Sequence, residues 1–198
     1  MTQEGLKEGR LRERGLRFKT ALGQLTHIET QEANDDETID FTEVFSDEYD
    51  RYVVYVDNVV SATNEDMFIR FSSDGGSTWD SGSSDYAASR FGVEEDGSTN
   101  IEGESGNDVI EITNRNLGDD VGENDTGGFK MTISNPANSS RATVLRSSRV
   151  SYNHEYGGHI ANLGGGIRLT QSAIDSIQFF MEDNNTHSGI FSVYGVDK

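Results

Sequence analysis

The stretch YDRYVVYVDNVV at residues 49–60 carries the clearest structural signal in the sequence. Its apolar residues follow a period of two, with Tyr52, Val54 and Val56 on one side and Val53 and Tyr55 on the other. Alternation of β-branched and aromatic residues at this period is typical of a β-strand. We therefore predict a strand over residues 49–60, the strongest strand in the chain.

Shorter segments with the same period follow through the rest of the chain. The predicted strands lie at residues 25–30, 39–41, 67–71, 86–93, 109–113, 129–133, 141–152, 167–169, 176–181 and 189–196. Three polar or glycine-rich stretches, at residues 94–107, 114–128 and 155–166, are predicted to be loops. This pattern of about ten short strands predicts a mainly β protein, a two-sheet antiparallel sandwich of jelly-roll type.

Residues 3–25 form the only segment with a helical pattern. Leu11, Phe18, Leu22 and Leu25 share one side of the predicted helix, and Gly15 lies on the same side. We predict that residues 1–30 are an N-terminal helical anchoring segment and that residues 31–198 are the β-sandwich domain. A frayed tail, or a helix that packs on its own domain, is the alternative.

The charge of the chain is strongly asymmetric. Thirty-five acidic and 16 basic residues give a net charge of −19. Six basic and three acidic residues give residues 1–20 a charge of +3, which leaves −22 on the remainder. Such an acidic surface disfavours binding to nucleic acid and to anionic membranes, and it suits a saline environment.

No apolar run reaches membrane-spanning length, so no membrane insertion is predicted. The absence of cysteine excludes thiol chemistry.

A turn rich in Asp and Gly follows the predicted strand at residues 67–71. Ser72, Asp74, Gly76, Thr78 and Trp79 have the order of an Asp-box, and they resemble the hairpin turn found in the blades of sialidases and other glycan-processing propellers. The carboxylate can accept bonds from the turn, and the Trp ring can cover it. A single copy argues against a propeller. We predict a structural hairpin turn with a buried Trp79; a glycan-active enzyme is the alternative.

Residues that could bind a metal lie in the predicted loops. His154 and His159 flank Glu155, and two acidic stretches at residues 94–96 and 119–125 offer oxygen ligands of the kind that Ca²⁺ prefers. Neither acidic stretch has EF-hand spacing. We predict no cofactor, with a structural Ca²⁺ as the alternative, and no catalytic residues, because no nucleophile elbow or phosphate-binding loop is present.

Several short motifs occur in the order found in one group of viral proteins. The motifs are Phe41-Thr42, Ser46-x-x-Tyr49-Asp50-x-Tyr52, Asn58-Val59, Phe68-x-Arg70-x-Ser72-x-Asp74-Gly75-Gly76, Tyr86, Gly128-Phe129, Asn135-Pro136, Ile177-x-Phe179 and Ser188-Gly189-Ile190-Phe191-x-x-Tyr194-Gly195-Val196. Together they cover roughly residues 38–197. They resemble a β-sandwich module of virion structural proteins of tailed viruses, tail-fibre-like or on the capsid surface. The acidic body points to a saline or haloarchaeal host.

The resemblance implies a non-enzymatic virion protein on the capsid or tail surface, made in the host cytoplasm. Its N-terminal segment, residues 1–25, is expected to dock to other virion proteins. The sandwich is expected to be displayed as a homo-oligomer, a trimer being one such arrangement, for attachment to host-surface glycans or for particle decoration. A capsid decoration or cement protein without a ligand is the first alternative, and the glycan-active enzyme is the second.

Overall fold

The computed structural model describes residues 23–113, 117–119, 125–153 and 158–198. Within these ranges the chain forms twelve β-strands and no helix. The strands are β1 (Leu25–Asp36), β2 (Thr38–Phe41), β3 (Arg51–Ser61), β4 (Met67–Ser72), β5 (Tyr86–Glu94), β6 (Thr99–Asn107), β7 (Ile110–Glu111), β8 (Thr126–Ser134), β9 (Val144–Asn153), β10 (Gly158–Arg168), β11 (Ser176–Met181) and β12 (Thr186–Val196).

The strands form two antiparallel sheets. The large sheet has eight strands in the order β1-β12-β3-β8-β9-β10-β5-β6, and the small sheet has four in the order β2-β11-β4-β7. The first four strands of the chain alternate between the two sheets. The predicted mainly β fold with two antiparallel sheets is therefore confirmed.

The two sheets share one apolar core. Tyr52, Val54 and Val56 of β3 are completely buried, as their alternation predicted. The ring of Phe179 in β11 lies 5.3 Å from that of Phe191 in β12, which joins the small sheet to the large one. The remaining apolar residues of β4, β8 and β11 complete this layer. Burial of these side chains is the main force that holds the two sheets together.

The predicted N-terminal helix does not extend to Leu25. Leu25 is the first residue of β1 and pairs with Val196 of β12, while the other predicted helix positions, Leu11, Phe18 and Leu22, lie outside the described residues. Residues 25–30, assigned above to the helical segment, thus belong to the sandwich, and their alternative prediction as a first strand is confirmed. The strand continues to Asp36 through polar residues because β1 is an edge strand with little apolar burial.

Two of the predicted loops contain strands. The stretch at 94–107 includes β6, and the glycine-rich stretch at 155–166 includes most of β10, which lies between β9 and β5. Glycine is unusual inside a strand, but Gly166 has a packing reason. A Cβ atom there would lie 2.7–3.0 Å from the side chain of Ile110. Only glycine lets β7 approach β10 this closely.

The turn after β4 is not the turn of a hairpin. β4 pairs with β11 and β7, whereas the chain after Trp79 crosses to the large sheet and enters it as β5. The returning segment makes one short contact, in which the Asp80 amide donates to the Phe71 carbonyl oxygen at 2.9 Å. The prediction of a turn is confirmed, but the prediction of a hairpin is wrong because the returning chain finds its strand partners in the other sheet.

Candidate interaction face

The Asp74 carboxylate organises the turn after β4. Its Oδ1 accepts from the Thr78 amide at 2.8 Å and from the Ser72 hydroxyl at 2.7 Å, and its Oδ2 accepts from the Thr78 hydroxyl at 2.6 Å. The Ser72 hydroxyl oxygen accepts in turn from the amide of Gly76 at 3.1 Å. Bonds from Thr78, and then from Ser72, hold the pKa of Asp74 below its usual value. Both carboxylate oxygens are thus used within the turn.

The Trp79 ring is half-buried, which corrects the prediction of a buried ring. It lies over Gly76, where a Cβ atom would be 3.4 Å from the ring and 2.7 Å from the methyl group of Thr42. Gly76 also has a φ of 80°, a conformation that favours glycine. The ring thus covers one side of the turn and stays partly exposed to solvent.

We expect Trp79→Ala to lower the free energy of unfolding by about 1 to 2 kcal/mol, less than the loss for a fully buried Trp. The reason is that only part of the ring leaves water on folding. Chemical denaturation measures the effect, with Ser73→Ala in the same turn as an exposed control. A loss above about 3 kcal/mol would mean that the ring is buried after all.

The other residues singled out in the sequence are not gathered into one site by the described structure. His159 is exposed and its Nδ1 lies 3.3 Å from Glu95 Oε2, while His154 and Glu155 fall outside the described residues. In the acidic stretch at 94–96, Asp96 accepts from the Ser98 amide at 2.7 Å and closes a turn. Most of the stretch at 119–125 also lies outside the described residues. The Ca²⁺ alternative at these loops stays a prediction.

A charged cluster lies on the inner side of β5 and β6. The buried Arg90 guanidinium is 2.6 Å from Glu102, 3.1 Å from Glu104 and 2.9 Å from Glu111. These three glutamates offer oxygens within 4.8 Å of one another, close enough to hold a metal ion. The Arg90 cation, however, is in hydrogen-bonding distance of all three. We interpret the cluster as an internal ion-pair network.

Glu111 is the most perturbed acid of this network. Desolvation, with the nearby negative charge of Asp66 as the next cause, raises the pKa of Glu111 from 4.5 to about 8 despite the opposing effect of Arg90. An acid whose pKa rises on folding opposes folding when it ionises. Its contribution therefore favours the folded state below about pH 4.5 and is lost as the pH rises through about 8.

We expect Glu111→Gln to become more stable relative to the unchanged protein as the pH rises from 5 to 9. The relative gain across this window should be about 2 kcal/mol or more, because the raised pKa of Glu111 already includes the opposing effect of Arg90. Thermal unfolding at several pH values measures it, and Glu32→Gln at the exposed edge strand is the control. A difference that is constant with pH would show that Glu111 is ionised normally.

The inner side of this half of the large sheet is polar in general. Arg149 of β9 and Asn162 of β10 pair across the two strands, and both side chains are buried. Burial lowers the pKa of Arg149 to about 10, although Asp66 opposes the effect. The small sheet has only four strands, so its apolar side chains cannot cover all eight strands of the large one. Polar residues fill the inner layer where that cover ends.

The outer side of β9, β10, β5 and β6 in the large sheet is apolar, whereas their inner side is polar. The rows Ser148–Leu163–Phe91–Ile101 and Val150–Ala161–Val93–Thr99 each run across β9, β10, β5 and β6 in register. Their large apolar residues, together with Tyr152, are between 36% and 75% exposed, and Ile101 is the most exposed. We call this surface, formed by Phe91, Val93, Ile101, Val150, Tyr152, Ala161 and Leu163, the outer apolar face. It reverses the usual arrangement of a sheet, which places its apolar side inward.

The rows of outward residues that form the outer apolar face contain no carboxylate, and acids lie only at its margin, with Glu95 beside His159 and Asp57 in the depression next to Val150. Two further rows, Val144–Ile167–Ala87–Ser105 and Arg146–Gly165–Ser89–Gly103, complete sixteen outward residues on these strands. Arg146 is the only charged residue among them. The outward side of the neighbouring strands is charged, with Glu32, Asp57 and Lys130. In a chain with 35 acidic residues, an apolar area without acids indicates a contact surface.

Shallow depressions adjoin the outer apolar face where glycines point outward. One depression lies at Gly128 and is bounded by Tyr55, Asp57, Lys130 and Val150, and a second lies around Gly165 beside Ser89. Both are open to solvent. The surface therefore has both projections and depressions, each about as large as one side chain.

Sequence reasoning found only part of this surface. In the predicted strand at residues 141–152, a period of two puts Val144, Arg146, Ser148 and Val150 on one side, and the structure shows that this side faces outward. Sequence reasoning missed the contributions of β6 and β10 because both were predicted to be loops. The missed signal is the alternation of Ala161 and Leu163 with polar or glycine residues just before the glycine run.

Comparisons with known proteins leave the family open. No protein-family model matches the chain, and no curated protein matches it. Among solved structures, the CBM2 module of an evolved Dit protein from Lactobacillus casei BL23 phage J-1 is 10% identical, with a TM-score of 0.24, over 89% of this chain and 81% of that one. The structure of infectious bursal disease virus, Gx strain, is 11% identical with a TM-score of 0.13, over 89% of this chain and 42% of that one. Scores this low do not establish a common fold.

No helix in the described part of the chain is long and apolar enough to cross a membrane.

Proposed function

We propose that the protein is a non-enzymatic structural protein of a virion, held in the particle by protein–protein contacts. The observation that carries the proposal is the outer apolar face, an apolar area without carboxylates on a protein of net charge −19. Exposed apolar areas of this kind mark interaction sites. The order of motifs that resembles the sandwich modules of tailed-virus virion proteins gives the kind of assembly.

The topology supports a jelly roll, the finer fold that the sequence predicted. The strands β1-β12-β3-β8 oppose β2-β11-β4-β7, and the chain alternates between the sheets in the way of two Greek keys. Two hairpins, β5–β6 and β9–β10, extend the large sheet on one side. In this arrangement the added strands form the outer apolar face and the jelly roll supports them.

The N-terminal segment is the second proposed contact with the particle. Residues 1–20 carry +3 beside a body of −22, so an acidic neighbouring surface would attract them. The described chain starts beside β1, at the opposite edge of the large sheet from β6. The two contacts would thus engage different neighbours, and the acidic surface suits a saline or haloarchaeal host.

The displayed surface serves attachment to host glycans or decoration of the particle without a ligand. The glycan-processing alternative rested on the Asp-box-like turn. Both oxygens of Asp74 are taken by Ser72 and Thr78, which supports a structural role for the turn. Binding of the purified protein to a glycan array would favour attachment, and the absence of binding would favour decoration.

Incorporation into particles tests the proposal. A chain without residues 1–22 should fold, because β1 begins at Leu25, and it should be lost from purified particles. Replacement of Lys7, Arg10 and Arg12 by Gln is a milder variant that keeps the length. Localisation of the full chain by electron microscopy of labelled particles is the direct readout. Absence of the full chain from all particles would overturn the virion proposal.

A further inference from the structure

A partner that covers the outer apolar face should carry little charge at its contact surface. Its six most exposed apolar side chains present about 600 Å² together, given about 150 to 250 Å² for a large side chain and the exposed fractions above. A stable interface needs about 800 Å² from each partner. These six side chains supply most of the area of one standard interface, and the small residues and Arg146 at their border add to it.

The charge pattern selects the kind of partner. A basic partner would be attracted to the acidic parts of this protein, but the sixteen outward residues contain no acid and one arginine. An acidic partner would gain only Arg146. A partner whose contact surface is apolar and uncharged loses nothing here. The same face of a second copy has this character, with Arg146 at its border as the one charged residue of the sixteen.

The relief of the surface also fits a second copy. Leu163 and Phe91 project from the middle of the face and Ile101 projects from the edge strand β6, while the glycine depressions adjoin the face. In a twofold dimer each copy contributes the same projections and the same depressions, so projections of one copy can fill depressions of the other. Both faces would then be covered at once.

We infer that the outer apolar face binds the same face of a second copy and forms a twofold-symmetric dimer. The inference rests on the proposed function for the role of the face as an assembly contact, and it names the partner. The dimer joins two large sheets back to back and leaves the small sheets and both β1 edges on the outside. Because two bodies of −19 repel each other, the dimer is tighter at high salt.

Sedimentation of the full chain over a range of concentrations tests the dimer. Leu163→Glu places a carboxylate on each face, and we expect it to weaken dimerisation by at least 100-fold. Leu25→Glu is the matched control, since Leu25 is also exposed but lies on the edge strand β1. Both substituted side chains lie outside the core. At a protein concentration at which all three proteins are monomers, both variants should therefore have the melting temperature of the unchanged protein.

The outcomes separate the dimer from the proposed function. A monomer at all concentrations and salt conditions, or equal association of Leu163→Glu and Leu25→Glu, would overturn the dimer. If the protein is a monomer and Leu163→Glu is still lost from particles, the face binds another virion protein and only the inference fails. If the full chain is absent from particles but the dimer forms and depends on Leu163, only the proposed function fails.

Discussion

Replacement of Tyr86 by Ala is expected to lower the free energy of unfolding by about 4 kcal/mol, a large part of the stability of a domain of this size. Tyr86 is completely buried at the point where the chain enters β5. Its ring lies 6.2 Å from that of Phe71 and joins the two sheets. Its hydroxyl accepts from the Phe71 amide at 2.9 Å and donates to the Asp80 carbonyl at 3.2 Å.

The matched variant Tyr86→Phe separates the ring from the hydroxyl. It keeps the packing and leaves the Phe71 amide without this acceptor, for an expected loss of about 1 to 2 kcal/mol. Chemical denaturation at a protein concentration low enough to avoid association measures both variants. If both variants lose the same free energy of unfolding, the contribution of Tyr86 comes from its hydroxyl. If both lose little, the contact between Tyr86 and Phe71 does not hold the two sheets together.

Replacement of Arg90 by Ala should have an effect of similar size, about 3 to 5 kcal/mol. The change removes the cation that lies within 3.1 Å of Glu102, Glu104 and Glu111, and near neutral pH it leaves the charges of Glu102 and Glu104 facing each other beside the largely protonated Glu111. The partly buried Asp66 adds to the repulsion. At a protein concentration low enough to avoid association, Arg146→Ala, on the exposed side of β9, is the matched control and should change stability by less than about 0.5 kcal/mol.

Two conditions should partly restore the Arg90→Ala variant. Lower pH protonates the glutamates, and millimolar Ca²⁺ can replace the lost cation, since the three carboxylates offer oxygens within 4.8 Å of one another. Thermal unfolding with and without Ca²⁺ measures the second effect. A variant as stable as Arg146→Ala would show that the network contributes nothing to folding. If the stability of the variant does not change with pH or Ca²⁺, the lost free energy of unfolding comes from the packing of the Arg90 side chain and not from its charge.

The centre of the fold is readable from the sequence because its strands have one apolar side each. In β3 the burial of Tyr52, Val54 and Val56 follows directly from their alternation. The edges are harder to read. β1 and β6 have one strand partner each and little apolar burial, so they keep polar sequences that look like loops.

The outer apolar face could not be predicted from the sequence because its strands place polar residues inward and apolar residues outward. In β5, Arg90 points inward while Phe91 and Val93 point outward, so period two alone assigns the wrong side to the core. The side can be assigned only when the four-stranded sheet is known to be too narrow to cover β9, β10, β5 and β6. That width depends on pairings distant in sequence, which local periodicity does not encode.

The most direct test of the account is the accessibility of the outer apolar face in the associated protein. The chain has no cysteine, so Ile101→Cys introduces a single thiol at the most exposed position of the face, and Ser73→Cys places one on the turn after β4 as a control. We predict that a maleimide reacts with Ile101→Cys at least tenfold more slowly at high than at low protein concentration, while Ser73→Cys reacts equally at both. Equal rates for Ile101→Cys under both conditions would contradict the account.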